Sequence, residues 1–208
     1  MRGVDRHGSD RKKGDMNLVE RVKALLENPK SEWPVIEGEQ HSTGYLFINY
    51  VAILAAIPPV AGFVGLCLTG YTGYRLNFLL GLAWVLVVYA LGLVSIFVMA
   101  YVIDAVAGAF GGQRNFSNAM KVSVYAPTAA WVASVFDVQP PLAFLSLVGL
   151  YSLYLLYTGL AVLMKPPAEK LLSYTITVVA CGAVLWLIVL GIAAMTLGLH
   201  LSAFTAMP

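Results

Sequence analysis

From Leu76 to Ile103 the sequence carries no charged side chain, and its apolar character continues past Asp104 to Phe110. A helix that crosses about 30 Å of hydrocarbon needs about 20 mostly apolar residues. This one stretch therefore places the chain among membrane proteins. Four further stretches qualify or nearly qualify: Tyr45 to Thr69, Lys121 to Val138, Leu142 to Met164 and Leu172 to Leu201. Each is expected to be helical, because an open strand edge in lipid leaves N–H and C=O groups without partners. Continuous rather than alternating apolar runs argue against a transmembrane barrel. Composition agrees: 59% of the 208 residues are hydrophobic and 12% charged, against about 45–50% and about 25% in soluble domains.

The charges that exist are unevenly placed. Eight of the 11 acids and eight of the 13 Lys/Arg residues lie at or before Glu39. The remaining 169 residues hold only Arg75, Asp104, Arg114, Lys121, Asp137, Lys165, Glu169 and Lys170. With the N-terminus inside, the inner loops carry Arg114, Lys121, Lys165 and Lys170, whereas the outer loops carry Arg75. That asymmetry satisfies the positive-inside rule. It also supports the weak third stretch, whose removal would send Lys165 and Lys170 outside. The expected fold is an all-α integral membrane protein with five transmembrane helices, N-terminus in and C-terminus out. The outer turns fall at Gly70–Tyr74 and Asp137–Pro141, the inner ones at Gly111–Asn115 and Lys165–Pro167, all rich in glycine, proline or polar residues.

The polar front divides in two. Residues 1–15 are too poor in apolar side chains to bury a core and read as a disordered or non-native extension. Lys12-Lys13-Gly14-Asp15 before Met16 translates back into a purine-rich stretch that resembles a ribosome-binding site, which makes Met16 an alternative start. Residues 16–44 read as a short cytoplasmic amphipathic helix and a linker. Asn17 and Glu20 have capping-box spacing, Leu18, Val22 and Leu25 fall on one face, and Pro29 ends the helix. Such a helix lies at the inner membrane surface, docks on the bundle, or binds a partner. Glu32, Glu37 and Glu39 weaken an anionic-lipid anchor. The membrane domain then covers 45–201, with 202–208 as a short external tail.

Signatures of chemistry are sparse. Cys67 and Cys181 each sit inside an apolar run and read as small hydrophobes. The histidines, His7, His41 and His200, are scattered, and no zinc, phosphate-loop or nucleophile-elbow motif is spelled. No catalytic residue, cofactor, metal or nucleic-acid partner is therefore assigned. Ionisable residues near membrane depth are default functional suspects. Asp104, Arg114 and Lys121 fall near the inner interface and form a candidate polar cluster there. Tyr151, Tyr154, Tyr157 and Thr158 form a candidate hydroxyl face on the fourth stretch, suited to interhelical hydrogen bonds or a substrate path. Pro58, Pro59 and Pro127 are expected to break helices at depth, as transporters do around their sites.

Several pieces of the chain resemble the bacterial branch of the Yip (Ypt/Rab-interacting protein) domain family. They include Met16-Asn17-Leu18-Val19-Glu20-Arg21-Val22-Lys23, Pro29-Lys30-Ser31-Glu32-Trp33-Pro34-Val35-Ile36 and Ala56-Ile57-Pro58-Pro59. Others are Ile103-Asp104, Phe110-Gly111-Gly112, Asn115-Phe116, Lys121 through Pro127, and Leu153 through Leu160. The resemblance implies a five-helix membrane protein with a cytosolic N-terminus and no catalytic residues. Eukaryotic relatives look like small-GTPase adaptors in membrane trafficking. Their N-terminal Asp-Leu-Tyr/Trp-Gly-Pro type motif is missing here, so GTPase binding is not carried over. The expected partners are the lipid bilayer and other membrane proteins or a second copy. The expected role is scaffold or adaptor in membrane organisation or envelope homeostasis, with a small permease or channel as the alternative.

Overall fold

A computed structural model of the chain describes residues 17–69 and 77–205. The expected extension 1–15, the outer turn 70–74, Arg75 and the last residues of the tail lie outside the described residues. Among the described residues every regular element is helical.

Two short helices come first, α1 (Leu18–Glu27) and α2 (Pro29–Gly38). Asn17 caps α1 by accepting from the Val19 N–H at 3.2 Å. Asn28 closes that helix through its own N–H to Ala24 O, and Pro29 opens α2 as its first residue. Proline suits that position, since its missing N–H would be an orphan there. Where one helix and a linker are expected, the structure thus has a helical hairpin.

Among the described residues four helices are long and apolar enough to cross a membrane: α3 (Thr43–Cys67), α4 (Phe78–Phe110), α7 (Phe144–Leu163) and α8 (Ala168–Thr205, of which Ala168–Met195 qualifies). The expected third crossing has a different form. It is broken at Pro127 into α5 (Phe116–Tyr125) and α6 (Thr128–Ala133), followed by a 3₁₀ stretch at Ser134–Val138. Its weak hydropathy has a structural reason. Every residue of α5 from Ala119 to Tyr125 is buried among neighbouring helices, so this segment faces protein where the others face lipid.

The breaks in α3 and in α5–α6 have visible compensation. The chain of α3 turns at Ala55–Ala56 just before Pro58 and Pro59, and π-helical turns flank the break at Phe47–Val51 and Val64–Thr69. The Tyr89 hydroxyl of α4 donates to Ala52 O beside that turn at 2.9 Å. After Pro127, the Ala130 N–H at the start of α6 donates to Ser152 Oγ of α7 at 2.9 Å. At 1.5 Å per residue, both breaks lie about 15–18 Å from the start of their helices, near half of a bilayer.

A docked hairpin as the candidate functional site

Asp104, Arg114, Lys121 and Lys165 gather at one end of the bundle, where the α1–α2 hairpin docks. Its shape is set first from within. Arg21 of α1 forms ion pairs with Glu32 of α2 and with Glu39 just beyond it. Arg21 and Glu32 are both buried. Burial works against the Arg21 charge, but Glu39, Tyr125 and Glu32 outweigh it and hold the guanidinium above its ordinary value. The pairs join the two helices into one unit.

Docking rests on a second set of contacts. Trp33 is 0% exposed, and its indole Nε1–H donates to Thr158 Oγ1 of α7 at 3.0 Å. The ring lies against Gly159, where an added Cβ would meet it at 2.7 Å. Its other neighbour is Tyr125 of α5, edge-on with centroids 6.4 Å apart. Arg21 sits over the same Tyr125 ring at 5.8 Å, a cation–π distance. Leu25 and Ile36 complete the apolar contact.

Lysines fasten the carboxyl end of α2. Lys121 of α5 is 4% exposed, and its Nζ donates to Glu37 O at 3.0 Å and Glu39 O at 2.7 Å. Two carbonyls that the helix end leaves without intrahelical partners are thereby satisfied. Lys165 pairs with the Glu37 carboxylate at 2.6 Å. His41 stacks on Tyr45 at 4.6 Å, with Nε2 3.6 Å from Glu39 Oε2.

The structure divides the residues expected as an inner-face cluster. Asp104 and Arg114 meet, with Arg114 donating to Asp104 Oδ2 at 3.2 Å. Asp104 Oδ1 is buried without a hydrogen-bond partner among the described residues. Lys121 is bonded to the hairpin instead. The expected hydroxyl face divides as well. Thr158 turns inward to Trp33 and bonds its own helix at Tyr154 O and Leu155 O. Tyr154 and Tyr157 are each 38% exposed. Tyr151 and Tyr154 touch with centroids 5.4 Å apart. The prolines act as breaks, and near them Tyr50 of α3 meets Thr128 of α6 at 2.7 Å. Thr128 itself donates to Tyr125 O at 2.6 Å, so Tyr50 is the donor of that pair. Cys67 and Cys181 are free thiols, with Cys67 packed on Gly81 of α4.

Arg21, Glu32, Trp33, Glu39 and Gly159 were not singled out as site residues by the sequence. One signal was present: a large aromatic, Trp33, inside a polar segment between two prolines.

The sequence model of the Yip1 domain matches residues 23–203. Inner membrane protein YohC of Escherichia coli strain K12 is 26% identical over 173 residues, covering 79% of this chain and 89% of YohC. YohC of Escherichia coli O6:H1 strain CFT073 matches to the same extent. No solved structure matches.

Proposed function

Because this chain belongs to the Yip1 domain family, we propose that it is a non-enzymatic scaffold or adaptor of the bacterial inner membrane, serving membrane organisation or envelope homeostasis. The location follows the name of its relative, an inner membrane protein. In this reading the chain crosses five times, through α3, α4, the broken α5–α6 segment, α7 and α8. The hairpin end faces the cytoplasm and the C-terminus lies outside. The basic residues Arg114, Lys121 and Lys165 share the hairpin's end of the bundle, which supports that orientation. A reporter fused after Met207 should read external; a cytoplasmic reading would break the five-crossing account.

The observation that carries the adaptor reading is the hairpin. The nearly buried Lys121 and the largest buried aromatic, Trp33, fix a polar hairpin to one end of a membrane bundle. Partners are the bilayer together with other membrane proteins or a second copy.

The paired helix breaks favour a second reading, a small permease or channel for an unidentified solute. Broken helices meeting near the midplane, with Tyr50, Thr128 and Tyr125 between them, resemble transporter sites. Flux into proteoliposomes separates the two. Solute uptake lost in Tyr154→Phe, Tyr157→Phe or Asp104→Asn would favour the permease. No flux, with proteins crosslinking to residues 16–40, is the adaptor outcome.

A further inference from the structure

The bonds of the hairpin fall into two separable sets. Its buried guanidinium is satisfied internally, since Arg21 pairs with Glu32 and with Glu39 just past α2, whereas the more exposed Glu37 pairs with Lys165 of the bundle. Its hold on the bundle uses the Trp33 anchor, the stacking on Tyr125, and the two lysines at Glu37 and Glu39. A unit built this way leaves its seat without stranding a buried charge of its own. Release exposes Leu25, Trp33 and Ile36, each 0% exposed when docked, so whatever displaces the hairpin must supply equivalent apolar contacts.

Without the hairpin, the seat has a definite chemistry. Its floor is Gly159, Thr158 and the Tyr125 ring, shaped for an aromatic side chain. Its edge holds Lys121 and Lys165, whose present partners are the carbonyls of Glu37 and Glu39 and the carboxylate of Glu37. We propose that the α1–α2 hairpin undocks as a unit, and that the seat it leaves takes an acidic helix of a partner protein bearing an aromatic anchor. The hairpin is then a ligand that the protein supplies to itself, and it covers the seat until a partner displaces it. Charge complementarity selects this occupant: a cationic rim around an aromatic slot matches an acidic helix end following a tryptophan. The inference deepens the adaptor reading and rests on it.

The test uses the full chain in phosphatidylcholine nanodiscs, with Cys67→Ala and Cys181→Ala and nitroxides at Lys30→Cys and Lys170→Cys, both exposed. Pulsed-dipolar distances report docking. Wild type gives one narrow distance. Trp33→Ala removes the anchor, leaves the seat intact, and raises the undocked-to-docked ratio more than about 100-fold. A synthetic peptide of residues 17–40 then binds the Trp33→Ala protein saturably, and the same peptide lacking its tryptophan binds at least about 10-fold more weakly. Adding Gly159→Ala to the protein weakens the tryptophan-bearing peptide at least about 10-fold and leaves the weaker binding of the peptide lacking tryptophan unchanged. Unchanged helical content and elution show that the variants are folded. A narrow distance that persists in Trp33→Ala overturns undocking, while opening without peptide binding overturns the seat. Opening that tracks phosphatidylglycerol content or protein concentration instead assigns the seat to lipid or to a second copy, and overturns the partner helix. Because the distance measurement needs no partner, the hairpin inference can fail while the adaptor reading stands.

Discussion

Trp33 lies against the backbone of Gly159, so close that a Cβ there would come within 2.7 Å of the indole. The same indole donates to the Thr158 hydroxyl one residue earlier, at 3.0 Å. A glycine and a threonine in a membrane-length helix thus form the socket for a tryptophan from the polar front of the chain. The juncture fixes how the hairpin and bundle meet.

Gly159→Ala tests the socket directly. Alanine is the better helix former, so α7 itself gains, yet the indole must move. We expect a net loss of about 1–3 kcal/mol, as for other overpacked sites, read as a lower thermal midpoint in detergent. Gly92→Ala and Gly191→Ala, where nothing lies within 4 Å, should be neutral or slightly stabilising. Equal effects at all three positions would remove the socket from the account.

Lys121 and Arg114 should behave differently. Lys121→Met removes two hydrogen bonds from a nearly buried ammonium to the end of α2, and should increase proteolysis within residues 17–42. Arg114, with a side chain 63% exposed, pairs from the solvent side with Asp104, whose own side chain is 14% exposed. Arg114→Met should change stability by no more than about 1 kcal/mol. Proteolysis rates that rank the two variants the other way would contradict this assignment.

Arg21→Met strands Glu32 and Glu39 and should cost about 3–5 kcal/mol, the usual penalty for removing one partner of a buried pair. Replacing Arg21, Glu32 and Glu39 together with apolar residues should recover most of the loss. The pH behaviour has a clear sign. The folded value of Arg21 is raised above its ordinary one, so its contribution is complete below the unfolded value and is lost only as pH rises beyond it. Alkaline titration to about pH 11 should therefore leave the hairpin's Arg21 contribution intact. Release of the hairpin in that range, abolished by Arg21→Met, would contradict it.

At the paired breaks, Tyr50→Phe removes one donor to Thr128, with an expected cost of about 1 kcal/mol. Thr128→Val removes that bond and the bond to Tyr125 O, and should cost more. The double variant should fall short of the sum, because both changes delete the same Tyr50–Thr128 contact. Strict additivity in thermal or denaturant unfolding would mean that the hydroxyls are not coupled.

Much of this architecture was legible in the sequence. Apolar runs located α3, α4, α7 and α8, Asn17 and Pro29 bounded α1, and Pro127 marked a break. The weak run after Lys121 read as a doubtful crossing because its side chains face protein, where lipid-grade hydropathy is unnecessary. Prolines and acids make α2 look like a linker in the sequence, although Pro29 suits a first turn and the charges pair. Depth along the helices groups Lys121 with Asp104, whereas its partners come from residues 37 and 39. Trp33 and Gly159 are far apart in the chain, and neither periodicity nor spacing connects them.

The central claim is that the hairpin end is the working face of a membrane adaptor. Photo-crosslinking in living cells tests it most directly, with a photoreactive residue at Val19, Lys23 or Lys30 on the exposed side of the hairpin, and at Leu86 or Trp186 on exposed membrane helices. The account predicts a discrete crosslinked protein species from the hairpin positions and lipid-only products from Leu86 and Trp186. Protein crosslinks from Leu86 and Trp186, with none from the hairpin, would contradict it.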